Sequence, residues 1–116
     1  KPENLIFSAV DAMLYSTYTL GARGAIAAIL TAAPGPSVKL WDAVKRQDWD
    51  TALDLHERLM PLWDAIGLDN MPSLCKYAQQ LQGLDAGVAR KPTSPATEEQ
   101  KKAVRSALSG LNLIRD

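Results

Sequence analysis

At 116 residues, of which 47% are hydrophobic, the chain has the size and apolar content of one packed domain. Its 13 basic and 13 acidic side chains cancel, which argues against a nucleic-acid partner, because phosphate binding draws on a basic excess. One cysteine, Cys75, excludes an internal disulfide and fits a reducing compartment such as the cytoplasm, and no apolar run approaches the ~20 residues of a membrane span.

The opening residues, Lys1-Pro-Glu-Asn4, contain no initiator Met, charged n-region or apolar h-region, so nothing there reads as a signal peptide. Residues 5–8 are short and apolar, include Ile6 and Phe7, and read as a β-strand. A strand this close to the start suggests a segment of something longer. Asp11 or Ser8 can cap the helix that follows. From residue 12 to 20, Met13, Leu14, Thr17, Tyr18 and Leu20 recur at helical spacing, and Gly21 is the expected stop. Residues 25–30 are apolar on both sides of a pleat, the pattern of a parallel strand covered on both faces. Residues 5–30 therefore read as one βαβ unit with a right-handed crossover.

Residues 31–36 read as a loop, cut by Pro34-Gly-Pro36. A helix begins at Pro36 or Ser37, with Val38, Leu40, Trp41 and Val44 as its apolar face, and Gln47-Asp48 breaks it. Asp48 is placed to cap the next helix, residues 49–66. Its stripe is Ala52, Leu55, Leu59, Leu62, Trp63 and Ile66. Pro61 should kink or split it. After Gly67 and the Asp69-Asn-Met-Pro72 turn, residues 73–81 form a helix with Leu74, Tyr77, Ala78 and Leu81 on one face. Residues 86–95 are an extended connection. Thr97-Glu-Glu-Gln100 is a capping box for a last helix reaching about Ser109, with Ala103, Val104, Ala107 and Leu108 inward. Leu111, Leu113 and Ile114 should fold back on the body.

In this order the segments resemble the C-terminal part of the dihydrodipicolinate synthase and N-acetylneuraminate lyase family, class I Schiff-base aldolases and dehydratases. Phe7-Ser-Ala-Val-Asp-Ala12 resembles the end of the family's strand seven, usually Ser-Gly-Asp-Asp or Asn-Gly-Tyr-Asp. Leu20-Gly-Ala-Arg-Gly-Ala-Ile26, running to Ala33-Pro34, resembles the strand-eight signature Leu-Gly-Ala-x-Gly-Val-Ile…Ala-Pro. Residues 49–62 resemble the family's long helix, Pro72…Lys76…Ala78 the opening of the next one, and Val88-Ala-Arg90-Lys-Pro92 with Thr97-Glu-Glu the tail. The resemblance implies an α/β fold: the C-terminal portion of a (β/α)8 TIM barrel, strands seven and eight in residues 1–46, with a helical extension in residues 47–116.

The resemblance also implies a chemistry. The family holds a 2-oxo acid, pyruvate or a relative, as a Schiff base on a lysine, with a tyrosine relaying protons, and both lie on earlier strands. No catalytic residue, cofactor or metal ligand is therefore expected here. A Schiff-base lysine needs burial to lower its pKa; Lys39, Lys45, Lys101 and Lys102 read as solvated helix faces, and Lys76 matches a penultimate-helix position instead. What remains is a stretch of substrate-pocket wall at the carboxyl ends of the strands: Ser8, Ala9, Asp11, Ile26 and Ala27. Ala9 stands where the family has glycine, Val10 where it has a polar residue, and Ala27 where serine is common. A less polar wall suggests a different keto acid, such as a sugar acid or an aromatic-substituted pyruvate. Asp11 can touch sugar hydroxyls in the lyases, or simply cap a helix, which is favoured.

Other chemically able side chains read as structural. His56 lies on a helix surface away from the strand ends, Cys75 is a small buried hydrophobe, and Trp41, Trp49 and Trp63 are spaced for core packing. The chain thus reads as a fragment of a lyase, its partners being the upstream part of the same enzyme and further copies in a dimer or tetramer. The alternative is a non-enzymatic, mostly helical interaction module. The βαβ opening discriminates, because two parallel strands make a poor sheet by themselves.

Overall fold

A computed structural model describes residues 4–115. Lys1, Pro2 and Glu3, part of the opening read above for a leader, lie outside the described residues. A 3-10 turn, Asp11–Met13, leads into α1 (Leu14–Thr19); α2 (Ile29–Ala32), α3 (Pro34–Lys45), α4 (Trp49–Ile66), α5 (Met71–Leu81) and α6 (Glu98–Gly110) follow.

The two expected strands are reduced to a single parallel bridge between Ser8 and Ala25. Their course is as expected: the Arg23 amide donates to the Ile6 carbonyl, the Ser8 amide to the Gly24 carbonyl and the Ile26 amide to the Ser8 carbonyl, at 2.7, 2.9 and 2.8 Å. That is the evenly stepped pattern of parallel pairing. The expected extent is corrected. Residues 29 and 30 are helical, and the expected loop at residues 31–36 holds the rest of α2 and the start of α3. An apolar run of six residues suits a strand or a buried helical turn equally, and with one edge paired on each segment the ladder does not extend. Gly24 lets the Phe7 ring lie close, because a Cβ on it would stand 3.0 Å from that ring.

The helices follow their local signals closely. Gly21, at φ 98°, ends α1 in a Schellman motif: the Ala22 amide donates to the Thr17 carbonyl and the Gly21 amide to that of Tyr18. Gln47 does the same for α3 with φ 59°, a left-handed residue that the sequence did not advertise. The Asp48 side chain accepts from the Thr51 amide, and α4 runs unbroken through Pro61. Pro61 is on the exposed face, so the Glu57 carbonyl it leaves unpaired within the helix is open to water. The Thr97–Gln100 capping box is complete.

α4 is the hub, touching α3, α6, α5, α1, α2 and the 3-10 turn. The core around it contains Leu14, Ile29, Leu40, Leu62, Ile66, Leu74, Val104 and Leu108, all essentially inaccessible. Leu111 is buried and Leu113 and Ile114 pack against the core. Several residues expected inward face out: Ile26 of the second segment, Val38, Trp49 and Ala103. Buried Asn70 ties the starts of α5 and α6 through a reciprocal amide pair with Gln100, 2.9 and 3.0 Å, and donates to the Pro95 carbonyl.

Candidate functional site

The five residues expected in the wall lie at, or just after, the bridged positions Ser8 and Ala25. Ser8 and Ile26 are joined by a backbone hydrogen bond across the pair. Ala9 and Ile26 are exposed, Ala27 is half-buried, and Ser8 and Asp11 are buried. Among the described residues the Ser8 hydroxyl has no hydrogen-bond partner.

Asp11 does not cap its own turn. Val10 holds that N-cap position and offers no side-chain bond. The Asp11 carboxylate instead accepts from the amide of Ile29, 18 residues on, at the first residue of α2. A carboxylate suits the positive end of a helix.

Two residues missed in the sequence join this cluster. The side chain of Thr31 donates to the Ala28 carbonyl and acts on the Cys75 thiol. Gln82, at the end of α5, donates its amide to the Ala32 carbonyl at 2.7 Å and to that of Ala78 at 2.9 Å. Neither carries a spacing signal, since the contacts span 44 residues from Thr31 to Cys75 and 50 from Ala32 to Gln82. Burial pushes the Cys75 thiol up; the Thr31 side chain works against this, and the Asp11 charge adds to it. Such a thiol is a poor nucleophile.

None of the described lysines is buried. Lys45 lies over the Trp41 ring at 4.3 Å, Lys101 pairs with Glu98 at 2.7 Å, and Lys76 donates to the Ala86 carbonyl. His56 is half-buried with its ring 5.6 Å from that of Tyr15. Trp41 meets Tyr18 edge-on at 4.9 Å and Trp63 packs on the core, but Trp49 is largely exposed, so the expectation of core packing holds for two of the three. Among the described residues no three His, Cys, Asp or Glu side chains gather as a metal-holding group, and no helix is long and apolar enough to cross a membrane. A cleft lined by Leu5, Ile6, Ser8, Thr17, Leu20 and Arg23 opens at the entry side of the second segment, so of the five wall residues Ser8 also borders it.

The sequence profile of the dihydrodipicolinate synthetase family matches residues 1–111. A 4-hydroxy-tetrahydrodipicolinate synthase of Archaeoglobus fulgidus is 32% identical over 110 residues, which are 95% of this chain and 38% of that protein. One from Bradyrhizobium diazoefficiens is 35% identical over 107 residues, 92% of this chain and 36% of the relative. Among solved structures, N-acetylneuraminate lyase from Fusobacterium nucleatum, complexed with pyruvate, superposes with a TM-score of 0.81 at 26% identity, covering 93% of this chain and 37% of that one. The chain thus spans little more than a third of the relatives it matches, and it belongs to the dihydrodipicolinate synthetase family of lyases.

Proposed function

We propose that this chain supplies the closing strands, seven and eight, and the helical extension of a (β/α)8 barrel lyase. The lyase acts on a 2-oxo acid held as a Schiff base on a lysine outside residues 1–116. The observation that carries the reading is the parallel pairing of Ser8 with Ala25 inside a chain of this family. Barrel enzymes do their chemistry at the carboxyl ends of such strands. Ser8, Ala9, Asp11, Ile26 and Ala27 then form part of the pocket wall. The Ser8 hydroxyl, buried without a partner, suits a neighbour contributed by another strand or by substrate. Pyruvate, bound by the Fusobacterium lyase, is the simplest candidate substrate. The alanines at 9 and 27 make that wall less polar and favour a different keto acid, such as a sugar acid or an aromatic-substituted pyruvate.

The partner in this reading is the upstream part of the same barrel. Leu5, Ile6, Phe7, Val10 and Ile26 lie exposed in and beside the paired segments. A contiguous apolar group of this kind, with free backbone on both outer edges, fits further strands on either side. The division at residues 46 and 47, a dimer or tetramer, and a cytoplasmic site of action belong to the same proposal. The helical interaction module has no comparable observation behind it.

Borohydride trapping with pyruvate tests the reading. The 116-residue chain alone should form no adduct by mass spectrometry, while a longer protein containing it should be labelled at a lysine outside these residues. An adduct on Lys39, Lys45, Lys76, Lys91, Lys101 or Lys102 would refute it.

A further inference from the structure

α2 is four residues long, far short of the ~12 residues at which a helix in water begins to hold itself. Its end groups have no helical partner, and both ends are sealed from water: Ile29 is 1% exposed and Ala32 0%. Side chains from elsewhere satisfy them. The Asp11 carboxylate takes the Ile29 amide at the amino end, and the Gln82 amide takes the Ala32 carbonyl at the other. One comes from the turn after the first β-segment and the other from the end of α5. Between them, the Ala28 carbonyl accepts from the Thr31 amide, the Thr31 hydroxyl and the Ala32 amide. Where α2 sits therefore decides where Ala28 sits, and with it the backbone from Ile26 to Ala28.

We propose that Asp11 and Gln82 are positioning residues: a two-point clamp that fixes the turn leaving the second β-segment and so sets the Ile26–Ala28 wall. The clamp makes the helical extension part of the wall's geometry, through Gln82. Its consequence for substrate rests on the lyase reading; the clamp itself does not.

Amide hydrogen exchange followed by NMR on the 116-residue chain tests it. The reporters are the amides of Ala32 and Ala33, which bond the Ala28 and Ile29 carbonyls, with the Leu111 amide at the end of α6 as internal reference. Asp11→Ala and Gln82→Met should each speed exchange at Ala32 and Ala33 about tenfold or more, the scale of a lost buried hydrogen bond. The reference should stay within about twofold. Asp11→Asn keeps an oxygen acceptor and should restore most of the protection. Unchanged exchange at the two reporters, or an equal rise at the reporters and Leu111, overturns the clamp. Gln82→Met removes a donor without stranding a charge, so it decides the matter even where Asp11→Ala does not fold. Unaltered exchange would leave the lyase reading intact, and an adduct on a lysine of this chain would leave the clamp intact.

Discussion

In residues 5–7 three successive apolar side chains, Leu5, Ile6 and Phe7, stand in solvent, whereas every large residue on the inner stripe of α4 is covered. The second region also exposes apolar side chains, such as Val38, Leu53 and Leu84, but spread over different helices and a loop. The contrast follows from where each kind of element keeps its hydrogen bonds. A helix satisfies its interior backbone by itself and needs company only for one stripe. A β-segment leaves half its backbone to a neighbour on each side. The helices, α1 included, can therefore close around α4, while the paired β-segments are left with a single bridge and an uncovered apolar group.

The largest effect that separates the two regions is expected in the α4 core. Leu62 is fully buried, and Leu62→Ala should cost about 2–5 kcal/mol in lost transfer energy and residual cavity. Urea unfolding followed by circular dichroism reads this as a lower midpoint with an unchanged slope. A cost below about 1 kcal/mol would mean that the helical region is as loosely closed as the β-segments.

The same division governs what could be read from the residues alone. α4 was legible to its ends because its signals are local: the Asp48 cap, a stripe repeating every turn, and Gly67 beyond Ile66. The Thr97 box was legible for the same reason. In the first region the parallel course was foreseen, but the reach of the second strand was not. Ile26 and Ile29 belong to one apolar run, and the change to helix at Ile29 depends on Asp11 and Gln82, 18 residues before it and 50 after Ala32. No window over the sequence contains both. Val38 read as inward because helical period says which face is apolar, not how far the covering elements reach. The wall residues are named by the family resemblance, whereas the carboxylate–amide contact of Asp11 is a fact of tertiary structure.

A smaller effect, visible only in alkali, comes from where the regions meet. Cys75 of α5 lies against Thr31 of α2, and burial holds its thiol above the ordinary value of about 8.5. The unfolded chain then releases the proton first, so above that pH it binds fewer protons than the folded chain. Stability should be level below pH ~8.5 and fall as pH rises toward the folded-state value. Buried Tyr18 is shifted the same way and should add its loss only above about pH 10. Cys75→Ala should flatten the first part of the fall and leave the second. Urea midpoints at pH 7, 8.5, 9.5 and 10.5 separate the two, and an unaltered profile in the variant would show that the thiol is free of the α2–α5 contact.

The smallest effect on stability is expected where the most apolar surface is exposed. Ile26 and Ile6 are 77% and 69% exposed, so Ile26→Ser and Ile6→Ser remove little that folding had withdrawn from water. Each should move stability by no more than about 0.5 kcal/mol. Dye binding should respond in the opposite proportion, with the fluorescence of an apolar-surface probe falling in the double variant while the urea midpoint holds. The pairing of the two readouts is what gives the test its force. A midpoint loss on the scale of Leu62→Ala would mean that these side chains are covered within the chain itself. An unchanged dye signal would mean that they do not form the apolar face to which further strands are assigned. Only a weak energetic response combined with a strong surface response describes a β-edge whose stabilising contacts lie in another part of the barrel.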